Sequence, residues 1–570
     1  MNEAFHQEMR EDAATRNLCA GVYLDRNFRS TVIQKVYNDT RRRVAPSYGF
    51  DLVAVVRHAW RAWALEVIQD VGILGMLLMG FVANAPVTLT AVSWIALGHL
   101  VRMALRNALV LAPLKAKEVA DRWLHRDRWA SEGELLRVHA RLLRISLGAS
   151  LPLLLVPMVV SGLVGRPLAR VVEGAVWLVA LVATWAAGSA VAKRIAINKM
   201  HNAKSLRIVP RTGRLAAISF QEKHPCVVYS RPQSAEPARK GRALVTPTLF
   251  DDPDPFDEPS LFVGSGRLIH RWLPPLAIQL LPSDADAPVD IDIPFEAHEL
   301  VGRLKKDLDA MRPEEDAHHP TKLRGLECRS RLYIAEADVS ATNRESLHVH
   351  PDSQDLESII DHPNKLYHHF LEIVVTDTGE LVTSIYLRVT VKGRALSLDF
   401  AACALTRTPE EYGIFDAGGR SGWIAVVRSA LTGLRDLPLT VGMVWRVAAA
   451  PATLVRAVRA SKRGAYPRRH VPGSGTQASI RELKSMKWEE ASLDKFTIYD
   501  YMKIIEQHLL KTTKEFLDGR GLDTSTFEKQ ASTIINSGVL NMGGTTEVHN
   551  SAVGAHSQVK ADIREDANSQ

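Results

Sequence analysis

The run ISLGASLPLLLVPMVVSGLVG, from Ile145 to Gly165, carries no charge between Arg144 and Arg166. About 20 helical residues at 1.5 Å each cover the roughly 30 Å hydrocarbon core of a bilayer, so this run predicts one membrane crossing. Only Arg166-Pro-Leu-Ala-Arg170 separates it from Val171 to Ala192, which has Glu173 near its start and is then apolar throughout, with Trp177 and Trp185 inside it. Together the two runs predict a helical hairpin.

Working towards the N-terminus, Val71 to Val101 holds no Asp, Glu, Lys or Arg and is too long for a single crossing. Asn84-Ala85-Pro86 interrupts it with a turn signal. The expectation is a second hairpin, with helices at 63–83 and 87–110. Glu66 and Asp70 then enter the first helix, and Arg102 and Arg106 the second; such residues near helix ends snorkel to the interface or face the bundle.

Flanking charges set the expected topology. Lys and Arg are dense before residue 63, between Lys115 and Arg144, and from Lys193 to Arg207. Positive charge marks the inner face, so each pair of basic segments must be separated by an even number of crossings. Four spans (63–83, 87–110, 145–165 and 171–192) with both termini inside satisfy this, whereas three would export a basic segment. Arg102, Arg106, Arg144, Arg166, Arg170, Lys193 and Arg194 are the expected membrane-interface residues.

The 570 residues leave room for further domains, and the net charge of +8 sits mainly beside the spans. Lipid is therefore the expected partner of that charge, and nucleic acid is not. No early apolar run marks a cleavable signal peptide, so the first span is expected to direct insertion. The four cysteines are far apart in the chain, which predicts reduced thiols and neither a disulfide framework nor a zinc site.

After a basic N-terminal region (1–62) and the spans (63–192), a linker is expected over 193–245, with an acidic Pro-rich stretch at Phe250 to Pro259. An α+β domain is predicted over 246–417. Its core is a three-stranded meander, Leu371 to Thr376, Leu381 to Val391 and Ala395 to Cys403, in which β-branched residues alternate with polar ones between Gly turns. Residues 421–463 turn apolar again but carry recurrent Arg, which suits amphipathic helices on the inner leaflet; a helix pair in a domain core is the alternative. A helical segment is predicted over 494–536, with Ile498, Tyr501, Met502, Ile505, Leu509 and Phe516 on one stripe. That stripe must bury itself, and a helical hairpin, self-association or docking on the preceding domain would each serve. The fold class is thus mixed: a four-helix transmembrane block, an α+β domain inside the cell and a C-terminal helical segment.

Seven of the 20 histidines lie between His318 and His369. His348, His350, His368 and His369 are the candidate metal ligands, with Asp352, Asp355 or Asp361 as partners. The spacing permits a metal without specifying one, and exposed loop histidines explain the pattern equally well. Gly264-Ser265-Gly266 lacks the third glycine and the following helix of a nucleotide loop, so a turn between strands is expected there and no cofactor is assigned. HExxH, GxxxxGK[ST], GxSxG and the kinase signatures are all absent, which leaves catalytic residues unassigned and favours a non-enzymatic reading.

The tail, 537–570, is rich in Gly and Asn and has the composition of a disordered segment. Asn536-Ser-Gly-Val539 and Asn550-Ser-Ala-Val553 repeat one pattern, and over 534–559 the chain resembles bacterial amyloid-type signalling motifs, in which short stacked strands template one protein onto another. With Phe262 to Gly266, Trp272, Leu396 to Phe400 and Tyr501 to Ile505, the part after residue 245 resembles uncharacterised multi-pass membrane proteins of high-GC Gram-positive bacteria. That resemblance implies a bacterial plasma membrane location and supplies no activity. Three functions follow as expectations. The first is a non-enzymatic membrane protein with an inner sensing or partner-recruiting domain, reaching partners or a second copy through residues 494–559. The second is a membrane effector or pore triggered by tail association, and the third is a membrane-tethered enzyme using the His-rich domain.

Overall fold

The computed structural model describes residues 12–123, 132–201, 203, 206, 209–210, 212–229, 261–283, 294–312, 323, 325–339, 347, 350–362, 366–377, 379–413, 423–437, 442–463, 476 and 479–536. The expected acidic Pro-rich stretch, His348 and the 537–570 tail lie outside them.

In chain order, α1 (Ala13–Leu24) and α2 (Arg26–Thr31, continued by a π-helical turn) precede three long helices: α3 (Leu52–Trp123), α4 (Glu132–Val164) and α5 (Leu168–His201). Helix α6 (Gly213–Lys223) and strands β1 (Cys226–Tyr229), β2 (Arg267–Arg271) and β3 (Leu276–Gln279) follow. Next come α7 (Ala297–Ala310), β4 (Leu326–Ala335), α8 (Ser353–Asp361), β5 (Tyr367–Asp377), β6 (Leu381–Lys392) and β7 (Ala395–Leu405). The last helices are α9 (Trp423–Arg435), α10 (Met443–Arg463), α11 (Ile480–Leu483), α12 (Ser492–Gly519) and α13 (Ser525–Asn536).

Three helices are long and apolar enough to cross a membrane, over Leu52–Ala116, Arg137–Val164 and Leu168–Met200. The sequence divides the first of these into two spans, whereas the structure runs one helix through a kink at Asn84, where φ is −157° and ψ 86°. Along a straight helix Gly80 and Thr88 would be about 12 Å apart. A Cβ on Gly80 would instead lie 2.9 Å from Thr88 Oγ1, and Ile73, Leu77 and Ile95 share one core cluster. The chain therefore doubles back at Asn84. Thr88 and Thr90 hydroxyls donate to the Asn84 and Pro86 carbonyls at 3.3 and 2.9 Å, bonding backbone groups at the break. Between α4 and α5 the turn falls at Gly165, whose φ of 64° suits glycine.

Helix α5 packs on α3, with Trp185 Nε1 donating to the Gln69 carbonyl at 3.2 Å and Gly174 against Val87 just past the kink. Both helices outrun the apolar stretches. Ala59, Ala62, Ile197 and Met200 pack with α1 and α2 in a separate core that also includes Tyr412, Ala460 and Ile480. Hydropathy marks where a crossing ends, but tertiary packing decides where the helix ends.

Seven strands form one sheet in the order β1-β4-β5-β6-β7-β2, with β3 also paired to β7. The expected meander is β5 to β7, closed by positive-φ turns at Gly379 and Gly393. β1 is parallel to β4, so the expected 193–245 linker contributes an edge strand. One sheet face, including Leu371, Ile373, Ile385 and Phe400, packs against α7, α12 and α13 through Leu304, Met502, Ile505, Leu509 and Phe527. The stripe of α12 thus docks on the chain's own sheet.

Candidate functional site at the junction of sheet and membrane helices

Strand alternation puts Arg331, Glu372 and Tyr386 on the opposite sheet face, since Arg331 pairs with Phe370 and Glu372 with Tyr386 across the ladders. All three are buried. Arg331 Nε donates to Glu372 Oε2 at 2.7 Å, and Arg331 Nη1 to the His224 carbonyl at 2.7 Å. Tyr48, in the segment leading into α3, donates its hydroxyl to Glu372 Oε1 at 2.5 Å, and Tyr386 does so at 3.1 Å. Burial alone would lower the Arg331 pKa, but the Glu372 carboxylate more than offsets it and holds the guanidinium charged. The Tyr48 phenol is pushed well up by burial and by the same carboxylate, so it stays a donor. A satisfied buried network of this kind fixes geometry. Here it fastens the segment leading into α3 to the centre of the sheet.

A second fastening uses the turn at Gly264 to Gly266. Both glycines have positive φ, and their N–H groups converge on Glu482 Oε1 at 2.7 and 2.9 Å. The turn does cradle an anion, and that anion is the chain's own carboxylate. Burial raises the Glu482 pKa and these backbone bonds partly counter it. Next to it, fully buried Arg481 donates to the carbonyls of Glu380 and Thr406.

The third set of contacts lies where four segments meet. Glu66 of α3, buried, forms ion pairs with Arg26 and Arg29 of α2. Four residues on, Asp70 accepts two bonds from the Arg446 guanidinium of α10, at 2.6 and 2.9 Å, and Arg446 also lies 3.8 Å from Glu66. Lys193 of α5 donates to Gln69 at 3.0 Å. Burial lowers the Arg29 pKa and Glu66 draws it back only in part. Carboxylates spaced four apart share a helix face, so α3 presents both to cations from α2 and α10. Loss of Glu66 would leave the buried Arg29 guanidinium without its carboxylate partner.

The residues expected at the membrane interface separate into groups. Lys193 joins the charge cluster, while Arg102 donates to the Arg435 carbonyl at 2.7 Å and to Asp436 at 3.0 Å. Arg106, Arg144, Arg166 and Arg170 are exposed and Arg194 is half-buried, with Arg166 and Arg170 at the far turn between α4 and α5. Glu66 and Asp70 were legible only as misplaced charges, because Arg446 lies 376 residues from Asp70 and no local pattern announces it.

Among the described residues the candidate histidines do not converge. His368 and His369 are neighbours on β5 and point to opposite faces. His369 is buried with neither ring nitrogen hydrogen-bonded, and burial lowers its pKa to about 4. His350 stacks on His224 at 5.1 Å between ring centroids, and His348 lies outside the described residues. Among the described residues, the group with metal-like spacing is Glu296, His298 and Asp361, whose ligand atoms lie within 4.8 Å of one another. Its geometry is that of a hydrogen-bonded helix start, with His298 Nδ1 2.7 Å from Asp361 Oδ2 and the His298 N–H donating to Oδ1 at 2.9 Å.

Residues 274–549, just under half of the chain, match the family model of the AbeC-like domain. The match takes in β3 to β7, the α7, α12 and α13 layer, and the α9–α10 pair that supplies Arg446; the three long apolar helices precede it. No curated protein and no solved structure matches the chain.

Proposed function

We propose that the chain is an integral protein of the bacterial plasma membrane, with four crossings and both termini inside, whose inner domain senses or recruits a partner and passes its state to the spans. The doubling back at Asn84 supports two crossings within α3, and the basic segments supply the orientation. One observation carries the functional reading: Arg446, from the region similar to the AbeC-like domain, is held by Asp70 of a membrane helix. Tyr48 and Glu372 link the same helix to the sheet from the other direction. A change in the sheet therefore reaches α3 through Tyr48, and a change in the α9–α10 pair reaches it through Arg446. The tail beyond residue 536 is the proposed site of self-association or partner binding.

Hydrogen exchange of the full chain in lipid nanodiscs tests the coupling. Glu372→Gln is expected to speed exchange in residues 52–70 as well as in the sheet. Faster exchange confined to the sheet and residues 44–50 would overturn it.

A further inference from the structure

Helices α9 and α10 sit against the membrane helices, level with their apolar segments. Gly433 of α9 packs on α5, where an added Cβ would lie 2.9 Å from the Ala186 carbonyl oxygen. Leu437, two residues past α9, and Met443, the first residue of α10, pack with Ile73 and Leu77 of the first half of α3, Ile95 of its second half and Val182 of α5. From there α10 runs back along α3: Arg446 meets Asp70, and Ala457 and Ala460 join the core that holds Ala59 and Ala62. The spacing closes, because Met443 to Ala460 and Leu77 to Ala59 are nearly equal lengths of helix.

We infer that α9 and α10 form a re-entrant hairpin seated in the inner leaflet, its outer face covered by lipid acyl chains. Ile73 and Leu77 lie about 10 to 16 Å along α3 from Glu66, comparable with half the hydrocarbon thickness. Outer positions on both helices are mainly apolar, with Arg428 and Arg435 of α9 exposed among them. Ile424, Val427, Leu431, Val444 and Val455 are exposed, and Trp445 is 82% exposed. This surface continues that of the spans, where Leu105, Leu181 and Trp185 are also exposed. At this depth Asp436 pairs with Arg102 and Arg446 with Asp70, as burial in a bilayer demands, while the exposed Arg435 is long enough to snorkel. Arg456 and Arg459, two to three turns further along α10, are exposed and placed to meet anionic headgroups. The matched region would thus be inserted into lipid as well as tethered beside it.

The inference rests on the membrane reading above, and one experiment separates the two. Spin labels are placed singly on the full chain in phosphatidylcholine–phosphatidylglycerol vesicles through Leu431→Cys, Trp445→Cys, Leu154→Cys and Lys305→Cys. The four native cysteines are buried. Collision with oxygen reports lipid, and collision with a nickel chelate reports water. Labels at 431 and 445 are expected to match the lipid-facing label at 154 and to invert the ratio found at 305. If 154 reads lipid while 431 and 445 read water, the hairpin lies outside the bilayer and the inference is overturned. If 154 itself reads water, the membrane reading fails with it.

Discussion

At the scale of single residues, stability depends on a few buried charges that are paired across long stretches of chain. Glu372→Ala would strand Arg331 in the sheet, and the loss expected for breaking a buried pair is about 3–5 kcal/mol. Replacing both residues by apolar side chains of similar size should cost far less. Unfolding of the full chain in detergent, followed for both variants, checks the contrast. Glu222 behaves differently. Burial, with Asp51 nearby, raises its pKa from 4.5 to about 8, so the folded protein holds it neutral at pH 7. Its folded pKa lies above the unfolded value, so full stability is present below pH 4.5 and is lost as pH rises to about 8. Glu222→Gln should remove this slope and stabilise the protein above neutrality by at most about 5 kcal/mol. Melting temperatures across that pH window, wild type against variant, are the measurement.

Among the elements, the α11 cap closes the Gly264 to Gly266 turn. Hydrogen bonds to a charged acceptor contribute about 1.5–3 kcal/mol, so Glu482→Ala should speed amide exchange at Gly264 and Gly266 roughly ten- to a hundredfold. Glu482→Gln retains an acceptor and should keep most of the protection. This scale also shows what the sequence made legible. The meander could be read because β-branched alternation and the glycines at 379 and 393 are local signals. The Asn84 break and the apolar run from Ile145 were legible for the same reason. β1 was not: four residues, Cys226 to Tyr229, pair in parallel with a strand about a hundred residues later. The Gly264 to Gly266 turn was recognised as an anion-binding shape, but its occupant comes from residue 482. Of the candidate histidines, His368 and His369 are separated because neighbours on a strand face apart.

For the whole molecule, the cores and charge pairs join what the sequence separates into membrane and soluble parts. The uncharged part of α3 from Val71 to the Asn84 break spans only about 20 Å at helical rise, shorter than a hydrocarbon core of roughly 30 Å. On the proposed topology the level of Glu66, Asp70 and Arg102 falls inside the inner leaflet, where pairing offsets part of the cost of burying charge. The proposed topology has α3 crossing twice, on either side of the Asn84 break. Topology reporters fused after residues 113, 168 and 215 test this most directly. An exported reporter is expected to be active only after 168, and a cytoplasmic reporter only after 113 and 215. Exported activity after 113 would mean that α3 crosses once, and exported activity after either 113 or 215 would contradict the account.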